Sequence, residues 1–260
     1  HSVYVEVFGG AGHLLFSKTA ARIDVYNDIN EYLYKFFSIL RNPIKNQKLR
    51  DALFLTPYSR KEFEMCMDFE SETDEIEQIR KWYTVIRQSF NNVGKVWSSA
   101  TSHKSIRKGM ALPPSKFITS VDKEMVDIIE RLREVEIECL HFRDVIPKYD
   151  SEFTLQYLDP PYIPDTRVSN DMYLHEMTLE DHEEMVDIIS ASESKFILSG
   201  YDHPIYNELL ACGWNKILIG DIYKPSSLSL NRGKARGKEF LWVNFEVFTN
   251  KFRTKEHSFF

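Results

Sequence analysis

The first 40 residues constrain the fold most. VYVEVF, residues 3 to 8, is a short apolar-rich run that ends in Gly9, Gly10 and Gly12. HLLFSKTA can then open a helix, IDVY (23 to 26) is β-branched and aromatic, and Glu31 to Leu40 is helical in pattern. Strand, glycine turn, helix, strand, helix is a βαβα beginning, which predicts an α/β fold with a parallel sheet. Composition agrees. Of 260 residues, 43% are hydrophobic and Gly and Pro number only 10 each, which excludes a disordered or fibrous chain. The length suits one large domain, or one domain with a sizeable insertion.

The middle changes character. A helix is predicted from about Thr73 to Phe90, where Ile76, Ile79, Ile86 and Phe90 recur at helical spacing and Thr73, Asp74 and Glu75 suit a helix start. A polar, basic stretch follows, with Lys95, Lys104, Arg107, Lys108 and Lys116 set against the single acid Asp122. It also carries Trp97 and Pro113-Pro114. This predicts an inserted region, residues 43–122, between the two parts of a core domain, 1–42 and 123–260. Regular α/β pattern then resumes. It gives a helix from Lys123 to Arg133, then IECLHF, and a strand FTLQYL (153 to 158) running into Asp159-Pro160-Pro161-Tyr162. Thr178 and Asp181 can cap a helix whose apolar face holds Met185, Ile188 and Ile189. KFILS, a helix from Pro204 to Leu210 and a final strand FLWVNFEV complete the pattern.

The formal net charge is −6, so overall basicity offers no argument for a nucleic-acid partner and binding would need a local basic surface. Cys66, Cys139 and Cys212 are odd in number and lack CxxC spacing, which fits a reducing compartment and neither a disulfide framework nor a zinc site. His175 and His182 have no metal-ligand partners at useful spacing, so no metal is expected and hydrogen-bonding or surface roles are. No run approaches the roughly 18 to 20 apolar residues that span a bilayer. HSVYVEVFGG lacks the basic start and apolar stretch of a signal peptide. A cytoplasmic protein is expected, with a monomer as the default.

Three segments can carry chemistry. The glycine turn directly follows a strand and precedes a helix, where backbone N–H groups are free and a ligand can approach closely. It is not GxGxxG, and an ordinary tight turn would look the same. Asp28 lies about 20 residues beyond the turn, where a carboxylate accepts hydrogen bonds from ribose hydroxyls, or simply caps the next helix. LDPPY is the most informative. Two prolines fix the backbone and remove two donors, leaving carbonyl acceptors at a strand end. Asp159 adds a carboxylate and Tyr162 an aromatic face, a set suited to holding a planar amino group.

These segments resemble the Dam-type DNA adenine-N6 methyltransferases, especially the phage-like members. VEVFGGAG resembles their cofactor glycine motif and NDIN (27 to 30) their ribose-binding acid motif. YSRKEFE, RQSF, ERL, FRDVI, LDPPY, YLHEMT, DH, LSGY and EFLWVN resemble family blocks in the same order. The resemblance implies a Rossmann-like S-adenosylmethionine-dependent methyltransferase fold with a mostly helical inserted DNA-recognition region. It implies S-adenosyl-L-methionine held by Glu6, Phe8, Gly9, Gly10, Gly12, Asp28, Ile29, Asp144, Val145 and Asp159, with Asp144 and Val145 bordering the adenine of the cofactor. Asp159, Pro160, Pro161 and Tyr162 would hold the target base. The pattern departs in two places. Val7 stands where the family usually has proline, and the family's Gly-Lys element upstream of the glycine motif has no counterpart here.

The implied activity is methyl transfer to N6 of an adenine flipped out of double-stranded DNA, in a bacterial, archaeal or phage setting. Lys95, Lys104, Arg107 and Lys108 would meet DNA from the insertion, and Arg232, Lys234 and Arg236 from a second basic stretch, RGKARGK. The eight acids from Glu62 to Glu77 would face away. A methyltransferase of RNA or of a protein glutamine keeps the same chemistry. A non-catalytic DNA-binding fragment lacking an N-terminal cofactor segment is the reading from another class.

Overall fold

The computed structural model describes residues 1–90, 94–99, 112–166, 175–223 and 236–247. The opening pattern folds as read: β1 (Val3–Glu6), α1 (His13–Ser17), β2 (Ile23–Asn27) and α2 (Glu31–Arg41). Asn30 caps α2 by accepting from the Tyr32 amide, so Asp28 is not the cap. Asn42 caps α3 (Pro43–Phe54), which has proline in its first turn, and Ser59 caps α4 (Arg60–Cys66). Asp74 caps α5 (Glu75–Gln88). After α6 (Pro113–Thr119), a π-helical turn at Ser120–Glu124 runs into α7 (Met125–Leu132). Next come β3 (Val135–Glu138), α8 (Phe142–Lys148) and β4 (Thr154–Leu158). Then follow α9 (Leu179–Ala191), which starts with the Thr178–Asp181 capping box, β5 (Lys195–Tyr201) and α10 (Asn207–Ala211). β6 (Asn215–Tyr223) and β7 (Arg236–Val243) close the sheet.

The seven strands lie in the order β3-β2-β1-β4-β5-β7-β6. The first five are parallel to their neighbours, and β7 enters antiparallel between β5 and β6. Side chains alternate across the strands, so both faces need cover. Val5, Val25, Leu158, Phe196 and Leu198 share one core with residues of α8, α9 and α10. Tyr4 and Tyr26 face the other way, into a core with Phe37, Leu49, Ile79, Phe117 and Met125. That second core is filled from α2, α3, α5, α6 and α7, so helices of 43–122 and of the flanking segments bury one continuous surface.

One sequence expectation fails in detail, and one strand has no counterpart among the expectations. The final strand is expected at FLWVNFEV, yet β7 begins at Arg236 and stops at Val243. Asn244 ends it: its side chain accepts from the Phe196 amide at 2.8 Å and donates to the Ser194 carbonyl at 2.8 Å, clamping the start of β5. The edge strand β6 is not among the expected elements, although Ile217, Ile219 and Ile222 are β-branched. It carries a bulge between Leu218 and Gly220 and leaves Leu218 and Ile219 exposed, so it shows no clean apolar alternation. No helix among the described residues is long and apolar enough to cross a membrane.

Candidate active site at the carboxyl ends of the central strands

β2 and β4 flank β1, with Glu6 opposite both Tyr26 and Tyr157. The strands run parallel, so the segments that leave their carboxyl ends emerge side by side. Those segments are the glycine turn, the Asp28 loop and the Asp159-Pro160-Pro161-Tyr162 loop. Open parallel sheets hold ligands at this place, in the crevice outside the strand ends.

The glycine turn is laced to β2. Gly9 N–H donates to the Asn27 carbonyl at 2.7 Å, and the Tyr26 hydroxyl donates to the Gly10 carbonyl at 2.6 Å. A Cβ at Gly9 would stand 2.3 Å from the Tyr26 ring, so only glycine lets the turn lie this close. Gly10 has φ of 50°, and a Cβ there would meet nothing within 4 Å: the turn borders open space. Asp28 is held against the turn. Its carboxylate accepts from the Gly10 and Asn30 amides, both at 2.8 Å. Burial raises its pKa, while the two amides and the nearby His175 pull it back down.

Asn27, 1% exposed, is a strut to which the sequence pattern assigns no separate role. Its amide donates to the Val7 carbonyl at 2.8 Å and the Leu140 carbonyl at 3.0 Å, and it accepts from the Leu140 amide at 2.9 Å. The turn is thereby tied to the loop before α8. On α8, Asp144 is exposed but the Val145 side chain is fully buried in the core. Phe8 is half-buried with its ring 6.1 Å from that of Phe142, and Ile29 is exposed beside Asp28. Glu6 points inward at 3% exposure, accepting from the Tyr4 hydroxyl at 3.3 Å. Burial pushes its carboxyl up to about 7, with the Asp159 charge adding to the shift.

Asp159, just beyond the end of β4, is exposed to solvent. The surrounding protein desolvates its carboxyl and pushes it up to about 6, with the neighbouring Tyr162 phenol opposing the shift and the Glu239 charge adding to it. The proline loop is gripped from two sides. On one, His182 is fully buried, with Nε2 3.1 Å from the Pro161 carbonyl and Nδ1 3.1 Å from the Tyr206 hydroxyl. A carbonyl only accepts, so Nε2 carries a proton and donates to Pro161. On the other, the Tyr162 hydroxyl donates to Glu239 Oε1 at 2.5 Å and lies 3.3 Å from Ser199 Oγ. DH and EFLWVN stand out in the sequence, but nothing in it joins either to the proline loop.

The expected DNA-contacting residues are described only in part. Lys95 is exposed beyond α5, where the chain doubles back through a Ser89–Trp97 bridge and Arg60 lies 4.9 Å over the Trp97 ring. Lys104, Arg107, Lys108, Arg232 and Lys234 lie outside the described residues, and Arg236 is described only as backbone of β7. The acidic run is partly neutralised: Arg80 pairs with Glu62 and Glu77, Lys45 with Glu75, and Lys81 with Asp68 and Glu72. The three cysteines are unpaired, and no three metal-ligating side chains converge among the described residues. A separate groove lined by Glu183, Asp187, His203 and Glu208 contains none of the site residues.

The mostly parallel seven-stranded sheet with helices is consistent with a Rossmann-like methyltransferase fold. The model of the D12 class N6 adenine-specific DNA methyltransferases matches residues 1–224, and the chain belongs to that family. A comparison with curated proteins found no match.

Proposed function

We propose that the protein transfers a methyl group from S-adenosylmethionine to N6 of an adenine flipped out of duplex DNA. The observation that carries this reading is the convergence of the glycine turn, Asp28 and the Asp159–Tyr162 loop at adjoining strand ends, in a chain of this family. The open space at Gly10, with the Asp28 carboxylate bonded to the Gly10 amide, suits a bound cofactor. Gly9, Gly10 and Phe8 would wrap its methionine part and Asp28 its ribose. Bound there, S-adenosylmethionine supplies an electrophilic methyl group on sulfur.

N6 of adenine is a weak nucleophile because its lone pair is delocalised into the ring. Asp159 as carboxylate and the Pro160 carbonyl would accept hydrogen bonds from the two N6 protons. That favours a pyramidal nitrogen and aims its lone pair at the methyl group; as the N–C bond forms and the S–C bond breaks, the thioether S-adenosylhomocysteine would be left and N6 would release one proton to solvent. Positioning and electrostatics then supply the catalysis, and no covalent intermediate on a cysteine is needed. Extruding the base costs a few kcal/mol, and stacking on Tyr162 offsets part of it. Residues 43–122 with Lys95, Lys104, Arg107 and Lys108, and the loop with Arg232, Lys234 and Arg236, would bind the phosphates and read the site.

Labelled S-adenosylmethionine tests the substrate class. Label entering duplex DNA and neither RNA nor glutamine-containing peptide supports the reading. Label entering RNA or peptide overturns it. Calorimetric binding of cofactor separates the enzyme from a DNA-binding fragment, which would bind none.

A further inference from the structure

We propose that Glu239, on the antiparallel strand β7, is a positioning residue for methyl transfer that fixes the Tyr162 ring against which the target adenine stacks. This rests on the methyltransferase reading and adds a residue to it. The proline loop alone does not orient that ring. Pro160 and Pro161 fix their own φ angles, but the side-chain torsions of Tyr162 remain free. Three contacts remove that freedom, and all come from the sheet. Glu239 Oε1 accepts from the phenol at 2.5 Å. Ser199 Oγ lies 3.3 Å from the phenol oxygen and 3.4 Å from the same carboxylate oxygen. The Tyr201 ring meets the Tyr162 ring edge-on, with centroids 4.8 Å apart and planes at 74°.

Register explains the grouping. Tyr201 and Glu239 are Cα partners across β5 and β7, and Ser199 lies two residues before Tyr201 on β5, so all three present to the end of β4. A charge-assisted bond of this kind is roughly twice as strong as a neutral one, and its geometry is narrow. The antiparallel strand thus acts as a brace for the loop that would hold the base. It also adds a negative charge beside Asp159. The titratable groups facing Asp159 are Glu6 from β1, Tyr157 from β4, Tyr162 from its own loop, Tyr201 from β5 and Glu239 from β7. Among these, Glu239 pushes the Asp159 carboxyl upward.

Single-turnover methyl transfer to duplex DNA, with wild type and with Glu239→Ala, Glu239→Gln, Tyr162→Phe and the Glu239→Ala/Tyr162→Phe pair, tests the proposal. Well above the Asp159 titration, Glu239→Ala should slow transfer about 10²-fold, the scale of a small misplacement, with the cofactor KM unchanged. Glu239→Gln still accepts the phenol proton, so it should slow transfer less. Its acid limb should move to lower pH, because a charge that raises the Asp159 pKa is gone. Adding Glu239→Ala to Tyr162→Phe should cost little more than Tyr162→Phe alone. Full multiplication of the two effects, or an unchanged rate in Glu239→Ala, overturns the proposal. Absence of transfer by the wild type overturns the methyltransferase reading instead. The Tyr162–Glu239 bond is then read separately: with fluorotyrosine at position 162, Glu239→Gln should move the fluorine resonance, and an unmoved resonance overturns the brace.

Discussion

The Gly10 amide donates to the Asp28 carboxylate across 2.8 Å, joining the turn after β1 to the end of β2. One carboxylate oxygen thus fixes the turn while the other holds the Asn30 amide. Asp28→Ala should loosen the turn and remove the ribose acceptor together. Calorimetry should show cofactor affinity falling roughly tenfold to a hundredfold, the 1.5–3 kcal/mol scale of a hydrogen bond to a charged group. Unchanged affinity would show that the cofactor does not use this carboxylate.

The Asp159 carboxyl, pushed up to about 6, sets a pH dependence. It must be ionised to accept from N6. The single-turnover rate should therefore fall as pH drops through about 6, and not only in the ordinary carboxylate range near 3.8. A rate flat from neutrality down to pH 5 would remove Asp159 from that role.

Glu6 makes a stability prediction. Its folded pKa is raised to about 7, so its protonated form is the one the fold prefers. The contribution is fully present below the ordinary value of 4.5 and is lost as pH rises through about 7. Glu6→Gln keeps an acceptor for Tyr4 without the buried charge. Denaturant unfolding should find it more stable than wild type above pH 7, by on the order of 3 kcal/mol, and nearly equal below pH 4.5. A gap that does not vary with pH would contradict this.

His182→Ala removes both grips of a buried ring, leaving the Pro161 carbonyl and the Tyr206 hydroxyl without this partner. The cost should be about 2–5 kcal/mol, from the vacated volume and the two broken hydrogen bonds together. Denaturant titration should show a lower midpoint with an unchanged slope. An unshifted midpoint would mean that the loop is not held from α9.

Replacing Arg232, Lys234 and Arg236 by alanine should weaken DNA binding on every sequence. The slope of log affinity against log salt should shrink by about 0.9 for each phosphate no longer neutralised. An unchanged slope would place the phosphates elsewhere.

One half of the site is legible in the sequence and the other half is hidden. The glycine turn, Asp28 and the proline loop each follow an apolar strand closely, and strand-turn chemistry is local. The capping box at Thr178 and the α5 start at Asp74 are readable for the same reason. The Tyr162–Glu239 bond spans 77 residues and depends on β7 entering between β5 and β6. No local pattern encodes that order, and the exposed, bulged β6 conceals it further. His182 looks in the sequence like a lone surface or hydrogen-bonding histidine. Its burial follows from the face of α9 turned to the core, shared with Met185 and Ile189. The net charge of −6 misleads in a simpler way, since it averages an acidic stretch with two basic ones.

Mapping the methylated atom in duplex DNA exposed to S-adenosylmethionine and either wild type or Asp159→Ala tests the proposed reaction most directly. Wild type should place methyl groups on N6 of adenine at a defined sequence, and Asp159→Ala, folded as wild type by circular dichroism, should place none. Methyl groups on another atom, or on N6 at equal rate with Asp159→Ala, would contradict it.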